Sequence, residues 1–221
     1  MTHSFDKDYW DKIWQGDRAT AMAAGDPNPH LVQEVNDLTP GTAIDAGCGA
    51  GTEAIWLAAR GWRVTGADIA ADALACARER ATAYGVDGHV QFVEADLSTW
   101  TPHEQYDLVT THYSHPSIPQ LEFYDRLATW VAPGGTLFIV GHLHPANHGA
   151  ADGEGHLDGH GHRNTEQPPA EASATAAAIT ARLDPAVWDI QSANESHRTM
   201  SAPDGRETTI HDVVVRATRR N

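Results

Sequence analysis

Residues 43–51 read Ala-Ile-Asp-Ala-Gly-Cys-Gly-Ala-Gly, and a further acid follows at Asp68. The apolar start, Ala43-Ile44, fits a short buried strand, and Gly47, Gly49 and Gly51 let the backbone turn sharply and approach a ligand without a Cβ in the way. Thr52 is placed to cap a helix through Glu53-Ala54-Ile55-Trp56-Leu57-Ala58-Ala59-Arg60, with Gly61 as its stop. The free amides of such a helix start suit an anionic group. A second apolar stretch, Trp62 to Ala67, ends in Asp68, where a strand-tip carboxylate can accept both hydroxyls of a ribose. The segment reads as a nucleoside-binding β-α-β unit.

Glycine spacing narrows the nucleoside. A dinucleotide fingerprint needs Gly-x-Gly-x-x-Gly, but counting from Gly47 the sixth position is Thr52, and Gly51 falls one residue early. Asp45, directly before the loop, would repel a pyrophosphate, whereas it can accept from the ammonium of S-adenosylmethionine. The stretch resembles motif I of the class I S-adenosylmethionine-dependent methyltransferases, which runs acid-x-Gly-x-Gly-x-Gly. In that family an acid closes the second strand, here Asp68, and another follows the third, here Asp96 within Val90-Gln91-Phe92-Val93-Glu94-Ala95-Asp96-Leu97.

The resemblance continues through a fourth strand, Tyr106 to His112, a helix carrying Leu121, Tyr124, Leu127 and Trp130, and the Ala132-Pro133-Gly134-Gly135 turn into a fifth strand ending near Val140. Order and spacing agree over residues 41–141. Tyr9-Trp10-x-x-x-Trp14 and the compact length resemble the small bacterial branch that includes the tellurite-resistance and thiopurine methyltransferases. The resemblance implies an α/β fold, a single Rossmann-like doubly wound sheet of seven strands, mostly parallel with an antiparallel last strand. It also implies a cofactor site of Asp45, Ala46, Gly47, Cys48, Gly49, Gly51, Asp68, Ile69, Asp96, Leu97 and Thr111, with Trp10 and Trp14 above it.

At 221 residues the chain suits one domain: a helical cap over 1–40, the core over 41–142, a His/Gly-rich loop over 143–169, and a helix and strand pair over 170–221. Residues 5–15 place Tyr9, Trp10, Ile13 and Trp14 at helical spacing, and a second helix carries Leu31, Val32, Val35 and Leu38. An alanine-rich helix is expected over Ala170 to Leu183. Strands are expected over Val187 to Ser196 and Thr209 to Thr218, with a turn at Pro203-Asp204-Gly205. No apolar run reaches membrane-spanning length, and Met-Thr-His-Ser-Phe-Asp-Lys has no signal-peptide character, so no membrane partner and a cytoplasmic location are expected. Cys48 and Cys76 suit a reducing compartment and read as packed rather than reactive. The net charge of −15 argues against nucleic acid and points to a small neutral or soft nucleophile as acceptor.

Methyl transfer from a sulfonium is an in-line displacement in which alignment supplies much of the acceleration. Ligands of open α/β sheets bind beyond the carboxyl ends of the strands, which places His112, Tyr113 and His115 after strand four as candidate catalytic groups. Oxygen and nitrogen acceptors call for a base, which His112 or His115 can supply; otherwise these residues only shape the pocket. Tyr9, Trp10 and Trp14 either close over the sulfonium by cation–π contact or form an ordinary apolar helix face.

The histidine insert is a separate signal. His142, His144, His148, His156, His160 and His162, with Asp152, Glu154 and Asp158, offer ligands to a divalent metal, His142-x-His144-x-x-x-His148 first among them. The spacings match no structural zinc motif, so a solvated lid competes with a metal site. Three classes therefore stand: a small-molecule methyltransferase, a metal-binding or metal-responsive protein on that fold, and a nicotinamide-dependent dehydrogenase, which Thr52 disfavours.

Overall fold

Apolar residues alternate along the strands and feed two cores, one on each face of a single sheet. The computed structural model describes residues 5–15, 25–143, 156–157, 163–164, 170–201 and 207–221. Its strands are β1 (Thr42–Ala46), β2 (Arg63–Asp68), β3 (Val90–Glu94), β4 (Tyr106–His112), β5 (Val131–His142), β6 (Trp188–Ser201) and β7 (Glu207–Arg219). Leu137 and Ile139 of β5 join one core, while Phe138 and Val140 join the other, as the two-residue period of a strand requires. Val213 and Val215 of β7 likewise oppose Val214.

The helices are α1 (Lys7–Ile13), α2 (Pro29–Val35), α3 (Thr52–Ala58), α4 (Ala71–Ala83), α5 (Gln120–Thr129) and α6 (Ala176–Thr180). Leu31 and Val35 of α2 and Ala54, Ile55 and Leu57 of α3 cover the Phe138 face. Phe123, Tyr124 and Leu127 of α5 and Ile179 of α6 cover the Leu137 face. The strand order is β3-β2-β1-β4-β5-β7-β6. Neighbours from β3 through β5 are parallel, and β7 runs antiparallel to both β5 and β6. The expected seven-stranded sheet with an antiparallel last strand is therefore found. From β1 the chain proceeds to β2 on one side, and β4 starts the other half, so a switch point lies between the carboxyl ends of β1 and β4.

The β6–β7 ladder runs from Trp188↔Arg219 to Ser201↔Glu207, whereas β5 meets β7 only from Thr136↔Thr218 to His142↔Asp212. Pairs from His197↔His211 onward thus continue past the end of β5. Both strands exceed their expected lengths, and the Pro203-Asp204-Gly205 turn lies outside the described residues. Most of the 143–169 loop lies outside them too, apart from a ladder pairing His156 with Asn164 and Leu157 with Arg163. Among the described residues no helix is long and apolar enough to cross a membrane.

Two local expectations are corrected. Thr52 does not cap α3: Gly51 holds the N-cap position at φ 77°, and the Thr52 hydroxyl accepts a hydrogen bond from Arg80 Nη1 at 2.9 Å. A left-handed residue there is available to glycine at little cost, so the turn is made by the backbone. The alanine-rich segment is not one helix but a 3-10 turn, Ala170–Ala172, followed by α6. Thr175 is extended and its hydroxyl accepts from Ala178 N at 3.0 Å, so a fresh helix starts at the next residue.

Phe138 is fully buried at the centre of the sheet. Phe138→Ala is expected to cost about 3–5 kcal/mol in urea unfolding, through lost transfer energy and the cavity left behind. Tyr84→Ala, at a side chain 67% exposed, should change stability by less than about 0.5 kcal/mol in the same assay.

Candidate functional site

The loop after β1 closes on itself before any ligand arrives. The amides of Gly47 and Cys48 both donate to the Ala67 carbonyl, at 2.8 and 3.1 Å, and the Gly51 amide donates to the Cys48 carbonyl at 2.8 Å. The Gly49 amide donates to Asp68 Oδ2 at 2.8 Å, and the Ala70 amide to Asp68 Oδ1 at 2.9 Å. The amides of Gly47, Cys48, Gly49 and Gly51 are thus spent inside the loop. Burial pushes the Asp68 carboxyl above its ordinary range, and the Ala70 and Gly49 amides offset only part of that rise. Each Asp68 oxygen keeps a lone pair for a further donor.

The loop leaves no room for a side chain at Gly47, where a Cβ would lie 2.2 Å from Ser114 Oγ, or at Gly49. Gly49 sits at φ 50°, and a Cβ there would lie 2.7 Å from the Trp14 ring. Trp14 and Ile13 of α1 pack with Ala50, Ala70 and Ala73, so α1 is seated on the loop. Lys7 Nζ fixes the same helix by donating to the Ile69 carbonyl at 3.0 Å and pairing with Glu94 at 3.1 Å. The Trp10 indole donates to the His115 carbonyl at 3.2 Å, and Phe5 stacks on the His115 ring. Trp10, Trp14, Ile69 and His115 are thus brought together around the β1 loop.

Asp45 is 1% exposed; Oδ1 lies 3.6 Å from His112 Nδ1, and Oδ2 has no hydrogen-bond partner among the described residues. Glu53 at the start of α3 completes this group and accepts from the Asn28 amide at 3.1 Å. Burial pushes the Glu53 carboxyl up, the His112 charge opposes that and the Asp45 charge adds to it. His112 therefore sits beside Asp45. Cys48 is buried, and burial with the Asp68 and Asp45 charges pushes its thiol well up, as expected for a packed cysteine. Ala46 is fully buried, and its carbonyl accepts from the Thr111 hydroxyl at 2.7 Å. That bond ties β4 to β1 and occupies the hydroxyl proton of the expected cofactor contact. Asp96 is exposed after β3 and accepts from the Ser98 amide at 2.9 Å, while Leu97 is buried in the core below.

Beyond β4 the chain turns at Tyr113, the only non-glycine residue with positive φ (53°) among the described residues. Such a backbone costs on the order of 1 kcal/mol and persists where surroundings enforce it. Here the ring stacks on His142 at 3.9 Å between centroids and the hydroxyl donates to Asp212 Oδ1 at 2.9 Å. Asp212 is fully buried; its Oδ2 also accepts from Arg198 Nε at 2.5 Å and lies 3.1 Å from His30 Nε2. Burial pushes the Asp212 carboxyl up, but the His30, Arg198 and Tyr113 partners outweigh it and hold it below its ordinary range. Burial, with the Asp212 charge, pushes the Tyr113 hydroxyl far up, so Tyr113 is a donor and not a base.

Glu53, His30, Arg198 and Asp212 carried no flag in the sequence reading. The available signal was Asp212 itself, an acid heading the apolar run Val213-Val214-Val215. His142 ends β5 buried, stacked on Tyr113 and 3.8 Å from Asp212 Oδ1. His144 and His148 lie outside the described residues. Among the described residues no group of three or more His, Cys, Asp and Glu is arranged to hold a metal ion, so the metal reading gains no support.

Residues 43–135 match the model of a family described as "Methyltransferase domain". The chain is 38% identical over 119 residues to a trans-aconitate 2-methyltransferase of Streptomyces avermitilis, covering 50% of this chain and 43% of that protein. It is 30% identical over 138 residues to a probable thiol methyltransferase 2 of Arabidopsis thaliana, covering 59% of this chain and 60% of that one. The chain thus spans about half the length of these relatives. A solved structure described as "Conversion of a Disulfide Bond into a Thioacetal Group during Echinomycin Biosynthesis" superposes with a TM-score of 0.69 at 22% identity, over 97% of this chain and 91% of that one. At that identity the likeness is one of fold.

The Asp212 network sets a pH dependence. Its folded carboxyl lies below its unfolded value, so its contribution is complete above about pH 4 and fades as pH falls through the folded value. Asp212→Asn should cost about 3–5 kcal/mol near pH 7, because Arg198 is left without its buried partner. Urea unfolding of both proteins across pH should show that difference shrinking below about pH 4.

Proposed function

We propose that this chain, whose residues 43–135 match the model of a methyltransferase domain, is a class I S-adenosylmethionine-dependent enzyme that transfers the methyl group of S-adenosylmethionine to a small-molecule acceptor by in-line displacement. The observation that carries this reading is the unpartnered, buried Asp45 Oδ2 beside a glycine loop held closed by Asp68. An acceptor atom without a donor, next to backbone that tolerates no Cβ, fits the ammonium end of an amino acid lying against the loop. When bound, S-adenosylmethionine supplies a methyl carbon on a sulfonium that is already a good leaving group.

The chain's own residues divide the remaining tasks. Asp45, with Gly47, Cys48, Gly49 and Gly51, receives the methionine end, and Asp68 accepts the ribose hydroxyls through its remaining lone pairs. Ile69, Asp96 and Leu97 border the adenine. Trp10 and Trp14 cover the loop from α1 and exclude water. Ala46 and Thr111 support the loop from behind through their mutual hydrogen bond. His115 is the candidate base for an oxygen or nitrogen acceptor, because it lies beyond β4 under Phe5, whereas His112 sits beside Asp45. Tyr113 donates a hydrogen bond. A thiolate acceptor needs no base.

A small molecule is favoured over nucleic acid by the net charge of −15. The names of the two relatives fit a small acceptor carrying carboxylate or thiol groups. Two unpaired cysteines fit a cytoplasmic setting.

Titration calorimetry with S-adenosylhomocysteine should show binding, and Asp68→Ala should weaken it about tenfold or more by removing charge-assisted hydrogen bonds. No binding to the unaltered protein would remove the reading. With phenol and amine acceptors, His115→Ala should slow turnover on the order of a hundredfold, while thiol turnover holds. Equal losses for all three would deny His115 the role of base.

A further inference from the structure

We infer that Arg198 is the anchor for a carboxylate on the methyl acceptor, held ready by Asp212 and Tyr113. The inference rests on the methyltransferase reading and adds to it the chemical class of the acceptor.

Arg198 arrives from the part of the β6–β7 ladder that passes the end of β5, pairing with Ile210 two residues beyond Asp212. Its guanidinium has five N–H donors in a planar fork. Nε donates to Asp212 Oδ2 at 2.5 Å and Nη2 donates to the Tyr113 hydroxyl at 2.8 Å. Those two nitrogens form one edge of the fork. The other edge, Nη1 with the second proton of Nη2, has no partner among the described residues, and the side chain is 26% exposed. Two parallel N–H groups left in one plane match the two oxygens of a carboxylate.

Immobility distinguishes this arginine from a surface cation. Asp212 is fully buried and receives Tyr113 and lies close to His30 as well, so it cannot follow Arg198 outward. Tyr113 is itself fixed by its amide, which donates to the Val140 carbonyl at 2.9 Å, and by its stacking on His142. That edge, without a partner among the described residues, therefore stands at the carboxyl ends of β4 and β5, where an open α/β sheet takes its ligands. Asp212 also cancels most of the cation's field at a distance. Recognition is then by contact geometry, which selects a planar oxyanion rather than drawing anions in general.

The test uses the full chain saturated with S-adenosylhomocysteine, after its binding has been measured alone. Trans-aconitate and mercaptoacetate are each titrated against their methyl esters. The acids should bind about tenfold or more tightly than the esters, Arg198→Gln should abolish the preference, and Arg198→Lys should keep only part of it. Equal binding of acids and esters, no binding of either acid, or a full preference retained in folded Arg198→Gln would overturn the inference. The acid-against-ester comparison on the unaltered protein decides the matter should Arg198→Gln fail to fold. Absence of S-adenosylhomocysteine binding in the first titration is the separate outcome that removes the methyltransferase reading.

Discussion

The grip of one carboxylate on two backbone amides organises this molecule. Asp68 ends β2, yet its oxygens hold Gly49 in the loop after β1 and Ala70 at the entry to α4. With Gly47 and Cys48 both bonded to Ala67, the ends of the two strands become one rigid corner. Burial works against the charge on Asp68, so each amide that steadies it matters. The corner also receives α1, because Trp14 fits over Gly49 only where no side chain intervenes and Lys7 reaches the carbonyl of Ile69. A corner fixed in advance in this way lowers the ordering cost of any binding there.

That half of the site could be read from the chain because its parts are close in sequence. Asp45, the glycines and Asp68 span a single β-α-β unit, and strand periodicity with turn residues fixes their relations. The parallel order was equally readable from alternating strands and helices. The Asp212 network was not readable, because Tyr113 meets Asp212 across 99 positions and His30 meets it across 182. No period or local motif encodes such meetings; sheet topology does. Local readings failed for a different reason. At Thr52 and within Ala170 to Leu183 the residue types suited helix capping and helix, but a left-handed glycine and the Thr175 hydroxyl set other boundaries.

Net charge was informative at one scale only. The total of −15 is the ground for expecting a small neutral or soft acceptor rather than a phosphate backbone. At the end of β5, however, a guanidinium is pinned by a buried acid and a tyrosine hydroxyl. Contact chemistry within a few ångströms follows the orientation of individual groups. The two buried acids make the same point in opposite directions: burial prevails at Asp68, while at Asp212 its ion and hydrogen-bond partners prevail.

Inserting β7 between β5 and β6 has an evolutionary consequence. Past the pairing of His142 with Asp212 and the Leu143 amide's bond to the His211 carbonyl, the ladder among the described residues pairs the two outer strands with each other. Residues can be added to or removed from that overhang without moving the Asp68 corner on the far side of the switch point. Changes to the ladder beyond β5 and changes to that corner are thereby kept apart.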